Sequence, residues 1–158
     1  MTYDIREIPE QTIISIRERV TPADLPSFIG RSFGDLFRHV RLLSISVVGE
    51  PFAMYHSFGA DAIDAEIGLP VAGPVEASGR VATRDLPPST VVETVHSGPY
   101  EGLTQAYAAL DTWISEHGFE VVGPVTERYL DGPGTGVAPS AYRTVIAMPI
   151  AQVPVPVP

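Results

Sequence analysis

Apolar residues recur along this chain at two periods, and the periods change over in the same order twice. Residues 11–19 alternate as a strand with Ile14 and Ile16 on one face, and Leu25, Ile29, Phe33, Leu36 and Val40 then follow at helical spacing. Gly30 and Gly34 weaken the middle of that helix. Residues 48–57 predict the next strand. Residues 61–71 give the cleanest alternation, with Ile63, Ala65, Ile67 and Leu69 inward and Asp64, Glu66 and Gly68 outward. The second half predicts a strand over 89–96 and a break at Gly98-Pro99, where proline suits a first helical turn. Leu103, Tyr107, Leu110, Trp113 and Ile114 form a buried helical stripe, which Gly118 stops. Strands over 124–130 and 141–149 close the pattern, joined by the turn-forming loop 131–136.

The two halves also match residue by residue. EIPEQTIIS, from Glu7 to Ser15, returns as DLPPSTVVE from Asp85 to Glu93, an offset of 78 residues. Gly49 and Tyr55 match Gly123 and Tyr129, and AEIGLPV (Ala65 to Val71) matches TVIAMPI (Thr144 to Ile150). Three matches in one order predict a duplicated supersecondary unit of roughly 75 residues. The expected fold is α+β: two pseudo-symmetric β-α-β-β repeats, about eight antiparallel strands and two main helices around a central pocket. The repeats fall near 1–72 and 80–150, within a single domain 1–152, with 73–79 as linker. Residues 153–158, alternating Val and Pro, predict an extended tail. A crevice between two such repeats is a natural place for a small molecule.

Composition narrows the partners. The chain has 158 residues, 44% apolar and 18% charged, which suits one globular core. It has no cysteine, so disulfides and thiolate metal sites are excluded, and its four histidines are dispersed without metal-ligand spacing. No metal and no cofactor are expected. A net charge of −9 and scattered arginines lack the basic stripe that nucleic acid requires. No apolar run is long enough to span a bilayer, and no signal sequence is evident, so a cytoplasmic protein is expected.

Glu127 is the first candidate for chemistry. Alternation places it with Val125 and Tyr129 on one strand face, while Thr126 and Arg128 take the other. A carboxylate on an apolar, aromatic face bears a desolvation cost that a ligand cation can offset, with cation–π attraction from neighbouring rings. The alternative is an edge-strand ion pair with Arg128 or Arg143, or plain solvation. Tyr142 stands where the first repeat has Ile63, on the face of Thr144, Ile146 and Met148, and its hydroxyl needs a partner that Glu127 could supply. Tyr55 and Tyr129 are repeat-related and could face the crevice from opposite halves, and Tyr107 could line its wall. Ordinary packing is the competing reading for each tyrosine and for Trp113.

These residues carry a resemblance. His96-Ser97-Gly98-Pro99-Tyr100, then Leu103, Tyr107, Leu110, Trp113 and Gly118, then Gly123-Pro124 and Glu127-Arg128-Tyr129, resemble the GyrI-like small-molecule-binding domain. That domain is also called the AraC-type effector-binding domain, of the wider SOUL-like group. Gly49 to Tyr55 and Glu66 to Val71 fit the same pattern, so the resemblance covers about residues 2 to 150. It implies a hydrophobic pocket between two repeats, in which the glutamate at position 127 meets lipophilic cations among aromatics. Multidrug-responsive regulators fuse the domain to a helix-turn-helix module. This chain is expected to have no room for one, which departs from the regulator pattern.

The resulting expectation is a stand-alone, multidrug-type binding protein for bulky aromatic, often cationic ligands, held by Glu127, Tyr129, Tyr142, Tyr55 and Tyr107. Two other classes stay open at this point. One is a hydrolase of cyclopropane-bearing toxins with Glu127 as its catalytic base, and the other is a protein-interaction module of gyrase-inhibitor type. The partners expected are a lipophilic small molecule and, in the last class, a protein, with neither nucleic acid nor membrane.

Overall fold

The computed structural model describes residues 2–132 and 135–154. Among them run nine strands and two helices: β1 (Asp4–Ile8), β2 (Gln11–Val20), α1 (Leu25–Leu43), β3 (Phe52–Phe58), β4 (Ile63–Pro70), β5 (Ala82–Leu86), β6 (Ser89–Ser97), α2 (Leu103–Glu116), β7 (Phe119–Val121), β8 (Val125–Asp131) and β9 (Arg143–Gln152). All the strand pairings are antiparallel, in one curled sheet of order β1-β6-β9-β8-β3-β4-β2-β5, with β7 set against the end of β9. The fold is therefore α+β, as the two periods predict. No helix among the described residues is long and apolar enough to cross a membrane.

The order reads the same from both ends once the halves are aligned. β1 and β5 lie at the edges, β6 and β2 next, then β9 and β4, with β8 and β3 at the centre. Each half's first strand crosses to pair with the other half's second: β1 with β6, and β5 with β2. Even close contacts recur. Val48 donates its N–H to the Pro70 carbonyl at 3.0 Å, and Val122 to that of Pro149 at 2.9 Å. A Cβ added at Gly49 would lie 3.0 Å from the Pro70 ring, and one at Gly123 3.1 Å from the Pro149 ring, so in both halves a larger residue would press on the facing proline.

Both helices cover the same face of the sheet. Phe28 and Leu36 of α1 pack on Ile14, Ile16, Ala53, Ile67 and Leu69, while Ala106, Leu110 and Ile114 of α2 pack on Val92, Ile146 and Met148. Burial of each large side chain contributes roughly 1.5–3 kcal/mol. The α1 stripe is centred one residue from the expected line: Phe28, Ser32, Leu36 and His39 are buried, and Ile29, Phe33 and Val40 flank them. Gly30 and Gly34 meet nothing within 4 Å on the helix's other side, so packing overrides their low propensity. α1 stops at Ser44, in the left-handed region at φ 53°, and α2 stops before Gly118 at φ 77°.

Several boundaries depart from the sequence reading. β3 begins at Phe52, four residues after the expected start, and β1, β5 and β7 are strands that the periodicity does not single out. Ile63, Ala65, Ile67 and Leu69 are fully buried, as expected, but Glu66 does not face solvent. It is 2% exposed on the opposite side of the sheet. There it accepts hydrogen bonds from Ser15 at 2.7 Å and from Arg84 at 2.5 and 2.9 Å, with His56 Nε2 at 2.8 Å. Tyr142 precedes β9 instead of lying within it, because Pro139 opens a short 3-10 turn that delays the strand to Arg143. The expected tail lies outside the described residues beyond Pro154, and so do Pro133 and Gly134 of the 131–136 loop.

Candidate functional site

β8 runs through the middle of the sheet, and its alternation sends Val125, Glu127 and Tyr129 to the helix-covered face. Val125 packs against the clusters under both helices, which places Glu127 where the two halves meet. The carboxylate is 6% exposed. Tyr107, from α2, donates its hydroxyl to Oε2 at 2.5 Å, and Tyr129 donates to Oε1 at 2.8 Å. Behind them, the buried Tyr55 on β3 interacts with the Tyr129 hydroxyl, which extends the line of phenols into the first half.

Aromatic rings surround this centre. Tyr129 meets Phe33 of α1 edge-on at 6.3 Å and Tyr100 at 6.0 Å, and Tyr100 meets Tyr142 at 5.3 Å. Tyr55 and Phe58 form another edge-on pair at 5.6 Å. Of the five residues singled out from sequence, Glu127, Tyr107, Tyr129 and Tyr55 therefore come together directly. Tyr142 reaches the group through Tyr100, and the hydroxyls bonded to Glu127 belong to Tyr107 and Tyr129. The surface ion pair considered for Glu127 is absent among the described residues. Arg128 turns to Glu93 and Glu50 on the other face, and Arg143 binds Asp131 at 2.5 Å.

Two residues of this cluster were not singled out as candidates. Tyr100 reads in sequence as part of a break before the helix. Gly98, at φ 119°, and Pro99 turn it back toward β8, where a Cβ at Gly132 would lie 2.6 Å from its hydroxyl oxygen. Phe33 reads as helix core, and only the three-dimensional register shows its edge against Tyr129.

Electrostatics set Glu127 apart from the other buried carboxylates. Glu66 is held by Arg84 with Ser15 and His56, and Glu93 by Arg6 at 2.7 Å and Arg128 at 3.2 Å. Glu127 has phenols and no cationic side chain among the described residues. Burial pushes its carboxyl above the ordinary carboxylate range, and the Tyr107 and Tyr129 donors oppose this only in part. Burial and the adjacent carboxylate push the phenols of Tyr107 and Tyr129 far up, so both remain proton donors at any physiological pH. Two surface clefts, one lined by Thr2, Asp4, Glu93, Thr94 and Val95 and one by Glu7, Ile8, Pro9, Pro88, Ser89 and Thr90, do not include Glu127. Among the described residues no group of three or more acidic, histidine or cysteine side chains could hold a metal ion.

The sheet and its two helices thus enclose a buried carboxylate that, among the described residues, is hydrogen-bonded by phenols where the halves meet. The chain belongs to the GyrI-like small molecule binding domain family, whose model matches residues 1–151. Among solved structures it is similar to EcmrR in a DNA complex, with TM-score 0.86 and 25% identity over 96% of this chain, though the chain spans only 58% of that protein. It is similar in fold to SAV2435 bound to tetraphenylphosphonium, with TM-score 0.70 and 16% identity over 96% of this chain and 94% of that one. A hydrolase from Listeria innocua shares the fold at TM-score 0.69 and 14% identity, covering 94% of this chain and 91% of its own. No curated protein matches the chain.

Proposed function

We propose that this domain binds bulky aromatic small molecules, often cationic, where its two halves meet, in the manner of a multidrug-type binding protein. Glu127 supplies the counter-charge, and Tyr55, Tyr107, Tyr129 and Tyr142 supply aromatic walls. One observation carries the reading. Of the three glutamates buried among the described residues, Glu66 and Glu93 are neutralised by arginine, whereas the described side chains that pair with Glu127 are neutral phenols. A ligand cation placed there gains the charge pairing that the protein withholds, with cation–π attraction from the surrounding rings. A cation reaching Oε2 requires Tyr107 to give up or share its hydrogen bond there. The fold relative solved with tetraphenylphosphonium, itself a lipophilic aromatic cation, supports this class of ligand.

The test is calorimetric titration of tetraphenylphosphonium into wild type and Glu127→Gln. Loss of a charged interaction of roughly 1.5–3 kcal/mol predicts a 10- to 150-fold weaker complex for the variant. Equal affinities would remove Glu127 from the reading.

The family resemblance implies one further reading, hydrolysis of a cyclopropane-bearing toxin, and the pairing of the Tyr107 hydroxyl with Glu127 supplies an acid–base pair for it. A carboxylate with a raised pKa can take a proton from water as that water attacks a ring carbon, and a phenol can protonate the anion left when the strained bond breaks. Multiple turnovers by a sub-stoichiometric amount of protein would establish this activity, and stoichiometric protection without product would exclude it.

A further inference from the structure

The two halves can be compared position by position on the helix-covered face, and the comparison isolates a polar patch. Ile16 corresponds to Thr94, Ala65 to Thr144, Ile63 to Tyr142 and Ala53 to Glu127. All four first-half residues are buried and apolar, and all four second-half residues carry hydrogen-bonding groups. Packing alone gives no reason for this bias, because each polar group added under a helix has to be satisfied.

Thr144 makes the point most sharply. It is 0% exposed, and its hydroxyl has no hydrogen-bond partner among the described residues. It lies on β9 directly across from Tyr129, on the face shared by Glu127 and Ile146, with His96 opposite on β6. Valine would fill the same volume without burying an idle hydroxyl, so stability does not account for threonine. Glu127 stands diagonally across the ladder from it, a relation that separates Cβ atoms by roughly 7–8 Å. Tyr100 and Tyr142 border the same end of the site.

We infer that the Thr144 hydroxyl is a second ligand-binding group, which hydrogen-bonds a hydroxyl, amine or carbonyl of a ligand whose cationic centre sits at Glu127. This rests on the reading of Glu127 as counter-charge. It narrows the ligand class from any lipophilic cation to aromatic cations with a polar substituent several ångströms from the charge. A threonine hydroxyl both donates and accepts, so it selects the position of that substituent and not its polarity.

The experiment titrates two cations into wild type, Thr144→Val, Thr144→Ser and Glu127→Gln by calorimetry. Tetraphenylphosphonium has no hydrogen-bonding group, and ethidium carries aromatic amines. Thr144→Val should weaken ethidium roughly two- to ten-fold, the scale of one neutral hydrogen bond, while leaving tetraphenylphosphonium within about two-fold. Thr144→Ser should restore ethidium binding, and Thr144→Val should melt no lower than wild type. An unchanged ratio of the two affinities in Thr144→Val overturns the inference, as does a lower melting temperature, which would mean the hydroxyl serves the fold. A wild type that binds neither cation, or only tetraphenylphosphonium, overturns it too. If Glu127→Gln leaves both affinities intact, it is the counter-charge reading that fails, and the inference falls with it.

Discussion

Lowering the pH should destabilise this protein through Glu66, and the structure gives the size of the effect. Burial alone would raise the Glu66 carboxyl, but hydrogen bonds from Arg84, Ser15 and His56 outweigh it and hold the pKa at about 2, against 4.5 for a free glutamate. The folded-state value is depressed, so the stabilisation is complete above the unfolded value and is lost as pH falls toward about 2. At about 1.4 kcal/mol per pKa unit, a shift of this size is worth roughly 3 kcal/mol. Glu66→Gln should therefore cost on the order of 3 kcal/mol at pH 7, where Arg84 is left beside a neutral amide. The cost should shrink steadily below about pH 4.5, as wild type loses the same interaction. Urea unfolding from pH 7 to pH 2.5, followed by fluorescence of the single tryptophan, Trp113, measures both curves. Parallel curves for wild type and variant would refute the argument, because they would mean that the Glu66 network does not titrate with folding.

Glu127 should behave with the opposite sign. Its folded pKa is raised, so the carboxyl costs stability as pH climbs above the unfolded value, and thermal melts should show Glu127→Gln gaining on wild type between pH 4 and pH 8. A variant that loses ground over that range would contradict the burial argument. Gly68→Ala should destabilise by roughly 1–3 kcal/mol in urea, since its Cβ would sit 2.5 Å from the Phe52 ring and 3.0 Å from the Ile14 carbonyl oxygen. Ser32→Ala should raise the melting temperature, because it removes a buried hydroxyl without a partner and improves helix propensity.

The central elements were legible because each has a period of its own. β2, β4, α1 and α2 each turn a regular row of apolar side chains to the large core beneath the helices, and that row writes the pattern. β1 and β5 were not, since DIREI and ATRDL lie at the sheet's edges, where residues are mostly exposed and the partner strand defines the element. β7 is three residues long and exists only as a neighbour of β9. Alternation placed Glu66 on the face opposite Ile67 but could not tell whether that face is wet. The curled sheet brings Ser15, His56 and Arg84 around it from three other strands, β2, β3 and β5. Tyr142 shows a different limit: one proline three residues earlier changed its element, which the repeat alignment with Ile63 had no means to register.

The alignment of the halves also explains why the candidate site has a single carboxylate. The offset that carries Tyr55 onto Tyr129 carries Ala53 onto Glu127, and Ala53 and Glu127 are each other's cross-strand partners. The pseudo-two-fold relation between halves therefore passes through this pair. A residue at that point faces itself across the ladder, at the roughly 4.5–5.5 Å spacing of opposed Cβ atoms. Two glutamates there would be buried like charges, and one would have to stay protonated. Alanine on one side and glutamate on the other leave one charge at the junction, with repeat-related tyrosines two residues along each strand. On the function proposed above, that single carboxylate would pair with one ligand cation, and the repeat-related tyrosines would lie on either side of it. The same asymmetry puts Thr144 and Tyr142 where the first half has Ala65 and Ile63, so a ligand bound as proposed would meet polar groups at one end only, which symmetric halves could not offer.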